Sequence, residues 1–416
     1  MVLINRASIL FRALWFPWLL LLVSTAILIT SASPTRRGPR LGTVLRGFDR
    51  TRTPDSLQDS SAASKDYVTH FYDQTLDHFN YQPQSYTIFK QKYVVNSKHW
   101  RRGPHGAAGP IFAYMGDESP INASVGTIGF LTDNVRRFGA MQLYIEHRFY
   151  GESIPAGLSF KKALGNATIR GYFSSAQALA DYAEIIRHVK ETLSAESAPV
   201  VVVGGSYGGM LAAFLHYPHI TVGALASSAP ILSLDFIVPE NFYGTVTKTS
   251  GGNRKKPCYD FNEFWSSESV DGWDWQTCSE IVQPFGRGAN DTMFYASPFD
   301  YKRYTEYCKK KFGIIPRPHW ITTYYGGFHI KEVLKRFGSN IIFSNGLRDP
   351  YSRAGVLENI SKSIVAVTTA KGAHCLDIVQ AAKKHDPEWQ IQQRKKEVRI
   401  IKRWIHQYYK DLQKSW

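Results

Sequence analysis

The chain of 416 residues is 44% hydrophobic and 20% charged, a balance typical of globular enzymes that excludes a fibrous or wholly disordered protein. Its formal net charge of +16 is concentrated in two stretches, residues 36–52 and 394–403. In the second stretch apolar residues recur at helical spacing, which predicts an amphipathic helix whose basic groups face water. Because no nucleic-acid-binding motif accompanies the charge, we expect no nucleic-acid partner.

The N-terminus has the order of charged, apolar and small residues that is found in secretory signal peptides. Arg6 and Arg12 precede a long apolar run, and small residues follow it up to Ser33. We assign residues 1–33 to a signal peptide or, because the apolar run is long for a signal, to an uncleaved membrane anchor. Residues 34–66 are rich in Arg, Ser and Pro and are predicted to be a basic propeptide or linker.

Four glycosylation sequons agree with entry into the secretory pathway. Their acceptor residues are Asn122, Asn166, Asn290 and Asn359.

Apolar runs alternate with helical patterns from about residue 67, where ordered sequence is expected to begin. This alternation predicts an α/β protein with a mostly parallel sheet. The predicted strands lie at 91–96, 110–115, 141–145, 199–203, 222–228, 340–343 and 364–368, with a helix at 176–187. We divide the chain into a main α/β domain, 67–233 and 340–416, and an inserted segment, 234–339, which we call the cap.

The most specific motif follows the run of four valines that begins at Val200. Gly204-Gly-Ser-Tyr-Gly208 matches the G-x-S-x-G nucleophile elbow, and a helical pattern starts near Met210. A serine on such a strand-to-helix turn needs small neighbours, so we interpret Ser206 as a nucleophile rather than part of a glycine-rich turn. The N–H of Tyr207 lies at the helix start, where it can bind an oxyanion. We assign Glu118, after the strand at 110–115, to the same oxyanion hole.

A serine hydroxyl needs a base and an orienting acid, and both are predicted at the ends of later strands. Asp349 follows the strand at 340–343, and His374 follows the strand at 364–368. In a parallel sheet, both fall on the same edge as Ser206. The alternatives are that Asp349 only starts a turn and that His374 is an ordinary loop histidine. Less well placed are Asp377, which is close to His374 in sequence, and His147, His319 and His329, which do not follow a strand downstream of Asp349.

The cap is rich in aromatic residues and shows little periodicity, and its polar stretch 245–257 is expected to be loose. It also holds three of the four cysteines. Cys278 and Cys308 are plausible disulfide partners, although spacing leaves three pairings open. Zinc-ligand spacing is absent from the sequence, so we expect neither a metal nor another cofactor.

Six motifs together make the sequence resemble one family of serine peptidases. They are Gln74-Thr-Leu-Asp-His-Phe79, Glu146-His-Arg-Phe-Tyr-Gly-Glu-Ser153, Gly204-Gly-Ser-Tyr-Gly-Gly-Met210, Pro316-Arg-Pro-His-Trp320, Asn345-Gly-Leu-Arg-Asp-Pro350 and Gly372-Ala-His374. They are similar to motifs of the lysosomal Pro-Xaa carboxypeptidase family, which includes prolyl carboxypeptidase and dipeptidyl-peptidases of the α/β-hydrolase fold. The resemblance runs from about residue 67 to the C-terminus.

The resemblance implies Ser206 as nucleophile, Asp349 as orienting acid and His374 as base, with Met210 and Tyr351 near a small apolar pocket for proline. It implies an exopeptidase that releases the residue after a penultimate proline, located in the lysosome, the vacuole or outside the cell. A free carboxylate also calls for cationic side chains, for which Arg348 and Arg317 are candidates.

Three other functions remain open. A dipeptidyl aminopeptidase of the same family would use Glu118 to bind the substrate amine, and an esterase would differ mainly in the cap. The third alternative is an inactive variant whose shortened cap no longer supports catalysis. The expected partners are peptides, and a homodimer remains open.

The sequence departs from the family pattern in its cap and near the histidine. The cap is shorter than in relatives, and Gly286 stands where a cysteine is common, which leaves Cys258 without the partner the family implies. Cys375 and Val379 stand where many relatives have histidine and arginine. These departures bear on selectivity and stability, and they leave the three proposed catalytic residues in place.

Overall fold

A computed structural model of the protein describes residues 65–215, 220–235, 237, 239, 241–249, 267–288, 292–382 and 385–414. The predicted signal peptide or anchor and nearly all of the linker lie outside these ranges, as do Asn290, Cys258 and the cap stretch 250–257.

Eight strands form one sheet, and six of them are consecutive parallel neighbours. The strands are β1 Val68–Thr75, β2 Ile88–Asn96, β3 Ile111–Met115, β4 Met141–Ile145, β5 Val200–Gly205, β6 Gly223–Ser227, β7 Ile341–Gly346 and β8 Ile364–Thr369. Their order is β1-β2-β4-β3-β5-β6-β7-β8, with β2 antiparallel to both β1 and β4. This is the arrangement of an α/β-hydrolase, and it confirms the predicted fold class.

The sheet is covered by helices on both faces, which explains why its central strands are apolar throughout. Val200 and Val202 of β5 pack into one core cluster, whereas Val201 and Val203 pack into the cluster on the opposite face. The segments 67–233 and 340–416, assigned to the main domain and called the hydrolase domain below, contain α1 Gly129–Phe138, α2 Phe160–Gly165, α3 Ala167–Arg170, α4 Ser175–Thr192, α5 Tyr207–Leu215 and α11 Glu388–Lys414.

The cap is more regular than its sequence indicated. Its helices are α6 Phe242–Thr249, α7 Ser267–Ser279, α8 Tyr301–Phe312, α9 Pro318–Tyr325 and α10 Ile330–Phe337. The expectation of a loose polar stretch is wrong for residues 245–249, which belong to α6; Thr245 is buried and the hydroxyl of Thr247 accepts a hydrogen bond from the N–H of Met293. The predicted disulfide joins Cys278 of α7 to Cys308 of α8, so it links two cap helices.

Within the described ranges, none of the helices combines the length and the apolar character that crossing a bilayer requires.

A fully buried ion pair connects three parts of the hydrolase domain. Arg148, just after β4, donates from Nε and Nη2 to the two carboxylate oxygens of Asp181 on α4, at 2.7 and 2.6 Å. The same guanidinium donates to the carbonyl of Leu76 beyond β1, and His78 lies 2.8 Å from Asp181. Two parallel bonds and further partners satisfy both charges, which is the condition for burying an ion pair.

We expect Asp181→Ala to lower the free energy of unfolding by about 3–5 kcal/mol, because it leaves the Arg148 charge buried without its carboxylate. The matched control is Glu191→Ala, which removes the exposed partner of Arg187 and should cost only about 0.3–0.5 kcal/mol. Urea unfolding monitored by tryptophan fluorescence measures both values. Equal losses in the two variants would contradict the structural role of the buried pair.

A buried carboxylate joins the cap to the hydrolase domain. Glu280, directly after α7, accepts hydrogen bonds from the N–H and the hydroxyl of Ser175 at 2.7 and 3.1 Å, at the first residue of α4. Tyr325 of α9 donates to the same Ser175 hydroxyl. Burial is the main cause that raises the pKa of Glu280 from 4.5 to about 7.

Since the pKa of Glu280 is higher in the folded than in the unfolded state, the folded protein binds its proton more tightly. The contribution to stability is therefore complete below pH 4.5 and is lost as the pH rises towards 7, by about 3 kcal/mol. We expect Glu280→Gln to reduce the difference in unfolding free energy between pH 4.5 and pH 7.5. Glu332→Gln, on an exposed face of α10, is the matched control and should keep the original profile. An unchanged pH profile in Glu280→Gln would refute the expectation.

Candidate active site

Ser206 occupies a strained turn between β5 and α5. Its φ angle is +59°, a left-handed conformation that is costly for a residue with a side chain. The turn is tolerated because the positions two residues before and after Ser206 are glycines. A Cβ on Gly204 would lie 2.0 Å from the carbonyl oxygen of Gly208. A Cβ on Gly208 would lie 2.8 Å from the carbonyl oxygen of Met115, at the end of β3. The G-x-S-x-G spacing is therefore a steric requirement of this turn.

His374 and Asp349 are brought together at the same edge of the sheet. Nδ1 of His374 lies 2.6 Å from Oδ2 of Asp349, and both side chains are almost completely buried. Oδ1 of Asp349 accepts a bond from the N–H of Tyr351 and caps the short 3₁₀ helix Pro350–Ala354. Asp349 thus does both things that its sequence context suggested: it starts a turn and it contacts the histidine.

Asp377 has a different partner. Its Oδ1 accepts a hydrogen bond of 2.5 Å from the hydroxyl of Ser227, at the end of β6. Burial raises the pKa of Asp377, and Ser227 opposes that effect only in part. Asp349, rather than Asp377, is the carboxylate that contacts His374.

The electrostatic environment of His374 favours its charged form. Burial by itself would lower the pKa of His374, but the negative charge of Asp349 and the bond to it raise the pKa well above 6.5. Such a pair stabilises an imidazolium, which forms whenever the ring takes a proton from a hydroxyl.

The Ser206 hydroxyl and the second ring nitrogen of His374 are buried and not used in the contacts described above. Oγ of Ser206 and Nε2 of His374 have no hydrogen-bond partner among the residues that the structure describes. Their loops are in contact: the N–H of Cys375 donates to the hydroxyl of Ser228, and a Cβ on Gly205 would lie 3.1 Å from the Cys375 sulfur. The structure therefore does not contain a hydrogen bond between Ser206 and His374.

Two candidate oxyanion donors lie beside the elbow. Tyr207 is the first residue of α5, so its N–H has no acceptor within the helix. Glu118 is buried in the loop after β3, and that loop packs against the elbow at Gly208. The hydroxyl of Tyr182 donates to the carbonyl of Gly116 and holds the start of the loop.

A group of aromatic side chains lies beside His374, where the proline pocket is predicted. The ring of Tyr351 lies 5.3 Å from that of His374 and contacts the rings of Phe242 and Phe285 at 5.2 and 5.7 Å. Met210 is buried one turn into α5, where its N–H donates to the carbonyl of Ser206. The two phenylalanines come from the cap, and sequence reasoning missed them because aromatic residues are abundant throughout that segment.

The two predicted carboxylate-binding arginines are exposed. Arg348 lies on the turn before Asp349, where its N–H donates to the carbonyl of Gly372. Nε of Arg317 donates to the carbonyl of Ser279, and its guanidinium lies 5.6 Å from the ring of Trp320. Neither contact places the arginine side chain among the aromatic rings of Tyr351, Phe242 and Phe285.

Arg394 does not face water, contrary to the prediction for the basic stretch 394–403. It was expected on the water-facing side of α11, but only 14% of its side chain is exposed. Its guanidinium donates to the carbonyls of Leu376, Asp377 and Val379, just beyond His374. Arg394 therefore anchors the loop that carries the histidine.

The other predicted positions are distributed as follows. His147 is buried beneath Tyr207, His319 contacts Asp235 at 2.7 Å in the cap region, and His329 is exposed. The sequon residues Asn122, Asn166 and Asn359 are exposed. Among the described residues, no group of three or more His, Cys, Asp or Glu side chains could hold a metal ion.

The chain is similar to known serine peptidases along most of its length. Residues 74–263 and 253–397 match the family Serine carboxypeptidase S28. The lysosomal Pro-X carboxypeptidase of Mus musculus is 31% identical over 95% of this chain and 99% of its own, and the Homo sapiens protein is 29% identical over 88% and 94%.

Thymus-specific serine protease of Homo sapiens is 36% identical over 54% of this chain and 42% of its own. Among solved structures, an esterase of Pyrobaculum calidifontis superposes with a TM-score of 0.42 at 12% identity, over 87% of this chain and 98% of that one. The match to the family over most of the chain is decisive: this protein belongs to the Serine carboxypeptidase S28 family of serine peptidases.

Proposed function

We propose that the protein is a serine exopeptidase that releases a C-terminal residue following proline, with Ser206 as nucleophile, His374 as base and Asp349 as orienting acid. The observation that carries the proposal is the buried 2.6 Å contact of His374 with Asp349, on the same sheet edge as the strained Ser206. Family membership makes peptides the substrate class.

The proposed reaction consists of acylation of Ser206 and hydrolysis of the acyl-enzyme, and His374 transfers the proton in both steps. Oγ of Ser206 attacks the carbonyl carbon of the penultimate proline while Nε2 of His374 takes the hydroxyl proton, and the oxyanion accepts hydrogen bonds from the N–H groups of Tyr207 and Glu118. His374 then gives the proton to the leaving nitrogen, the C–N bond breaks, and the C-terminal amino acid departs. Water, deprotonated by His374, hydrolyses the acyl-enzyme ester, which regenerates the Ser206 hydroxyl and leaves a new terminal carboxylate.

Two observations support the proposed selectivity for proline: the apolar side chains beside His374 and the names of two relatives. A pyrrolidine ring is small and apolar, and the ring of Tyr351, packed against Phe242 and Phe285, lies beside His374. Met210, one turn into α5 from Ser206, is proposed to complete the apolar surface. The names of the mouse and human relatives describe Pro-X carboxypeptidases. For the free carboxylate of the substrate, we propose that Arg348 turns towards the pocket from its exposed position.

A dipeptidyl aminopeptidase is the second candidate, and one observation favours it. Glu118 and Asp117 are both buried on the oxyanion side of the elbow, where an acid could bind a substrate amine. The two candidates therefore differ in which terminus of the peptide is held by charge.

The cellular location is proposed from the relatives and from the sequence. The relatives from Mus musculus and Homo sapiens that cover most of the chain are lysosomal by name, and the three sequons within the described ranges are exposed. We propose passage through the secretory pathway to a lysosome, a vacuole or the extracellular space, with glycosylation at Asn122, Asn166, Asn290 and Asn359.

We expect the protein to hydrolyse a blocked Xaa-Pro-Phe peptide faster than the matching Xaa-Pro-amide, an unblocked Xaa-Pro-anilide or a p-nitrophenyl ester. A fluorophosphonate probe should label the protein at Ser206 alone, and Ser206→Ala should abolish labelling and turnover without unfolding the chain. Preference for the unblocked anilide would indicate the dipeptidyl-peptidase, and preference for the ester an esterase. Absence of probe labelling in a folded sample would indicate an inactive protein.

The two buried aspartates near His374 provide a matched pair of variants. We expect Asp349→Asn to lower kcat about 10⁴-fold, as loss of the orienting carboxylate does in other serine peptidases, because His374 then adopts the wrong tautomer. The acid limb of kcat/KM should also move to lower pH, since the negative charge of Asp349 is the largest of the effects that raise the pKa of His374. Asp377→Asn should have a far smaller effect on both measurements. Comparable losses in the two variants would contradict the assignment of Asp349.

A further inference from the structure

A chain of buried hydrogen bonds leads from the cap to the residue after the candidate nucleophile. The hydroxyl of Tyr207 lies 2.9 Å from Nε2 of His147 and accepts a bond of 2.8 Å from Nε2 of Gln276. Tyr150 donates to the other end of the Gln276 amide at 2.7 Å. All four side chains are at most 1% exposed, so water does not compete for these bonds.

The direction of each bond follows from its partners. Nδ1 of His147 lies 2.6 Å from the carbonyl oxygen of Arg148, so Nδ1 carries the proton and Nε2 accepts from the Tyr207 hydroxyl. Burial lowers the pKa of His147 to about 4, which keeps the ring neutral and Nε2 an acceptor at higher pH. The Tyr207 hydroxyl therefore donates to the hydrolase domain and accepts from the cap.

This chain of hydrogen bonds bears on the candidate site because it ends at Tyr207, the residue directly after Ser206. Its side chain is held from two sides, and its own N–H is the candidate oxyanion donor directly after the strained Ser206. Gln276 belongs to α7, within the cap, whereas His147 follows β4 in the hydrolase domain. The Tyr207 hydroxyl therefore connects α7 of the cap to the residue that begins the elbow helix α5.

We propose that His147 and Gln276 are positioning residues for the oxyanion hole, acting through the hydroxyl of Tyr207, so that the cap controls the rate of acylation as well as access to the site. This inference rests on the proposed function. Neither residue contacts the substrate in this scheme; each acts by holding the Tyr207 N–H in the direction that the transition state needs.

Tyr207→Phe tests the proposal because it removes only the hydroxyl. We expect kcat for the Xaa-Pro-Phe peptide and the rate of fluorophosphonate labelling to fall about 10-fold, less than the 10²–10³ lost with a whole oxyanion donor, while KM stays unchanged. Gln276→Met should have a similar effect, and adding it to Tyr207→Phe should cause no further loss, since the bond between them is already gone. His147→Gln, which keeps an acceptor, should retain more activity than His147→Leu.

Tyr144→Phe is the matched control. Tyr144 is equally buried and its hydroxyl donates to Gln142 at 2.8 Å on β4, so its loss should lower stability while leaving both rates unchanged. If Tyr207→Phe and Gln276→Met lose stability but react at the rates of the unsubstituted protein, the positioning proposal is refuted and the proposed function stands. If the unsubstituted protein neither hydrolyses the peptide nor reacts with the probe, both proposals fail. Should Tyr207→Phe not fold, Gln276→Met and the His147 pair decide the matter.

Discussion

The site depends on one steric constraint, the close crossing of β5, α5 and the loop after β3 around Ser206. A residue with a side chain holds φ at +59° there, and two glycines allow backbone approaches that a single methyl group would block. The strain is sustained because the parallel strands on both sides of β5 are buried and cannot relax. The sharp turn leaves the Ser206 hydroxyl at the sheet edge and the first N–H of α5 beside it.

Buried polar groups fix the loops that follow β4, β7 and β8, which strand pairing does not position by itself. Asp349 orients His374, Arg394 anchors the chain just beyond it, and Arg148 with Asp181 joins the loop after β4 to α4. Each of these groups bonds to several partners, and these bonds offset the free-energy cost of removing the charges from water. The cap joins the same system through Glu280, which bonds to the start of α4.

Much of the fold could be predicted because its central strands are unusually apolar. The strand at 141–145 has the predicted bounds, and those of the valine strand and of the strand at 364–368 differ by one or two residues. In contrast, β1 was missed, because an edge strand with one exposed side carries no continuous apolar run. The cap helices were missed for a related reason: their contacts are aromatic and irregularly spaced, so periodicity did not reveal them.

The sequence by itself determined the fold class, the elbow and the chain order of serine, aspartate and histidine, because these depend on local spacing and on where strands end. The contact itself was visible only in the tertiary structure: Asp349, after β7, lies 2.6 Å from Nδ1 of His374, whereas Asp377, after β8, bonds to Ser227. The tertiary structure also decided that His147 and Gln276, 129 residues apart in the chain, bond to the same hydroxyl. Such contacts join residues distant in sequence, and no local pattern specifies which of many buried polar groups will meet.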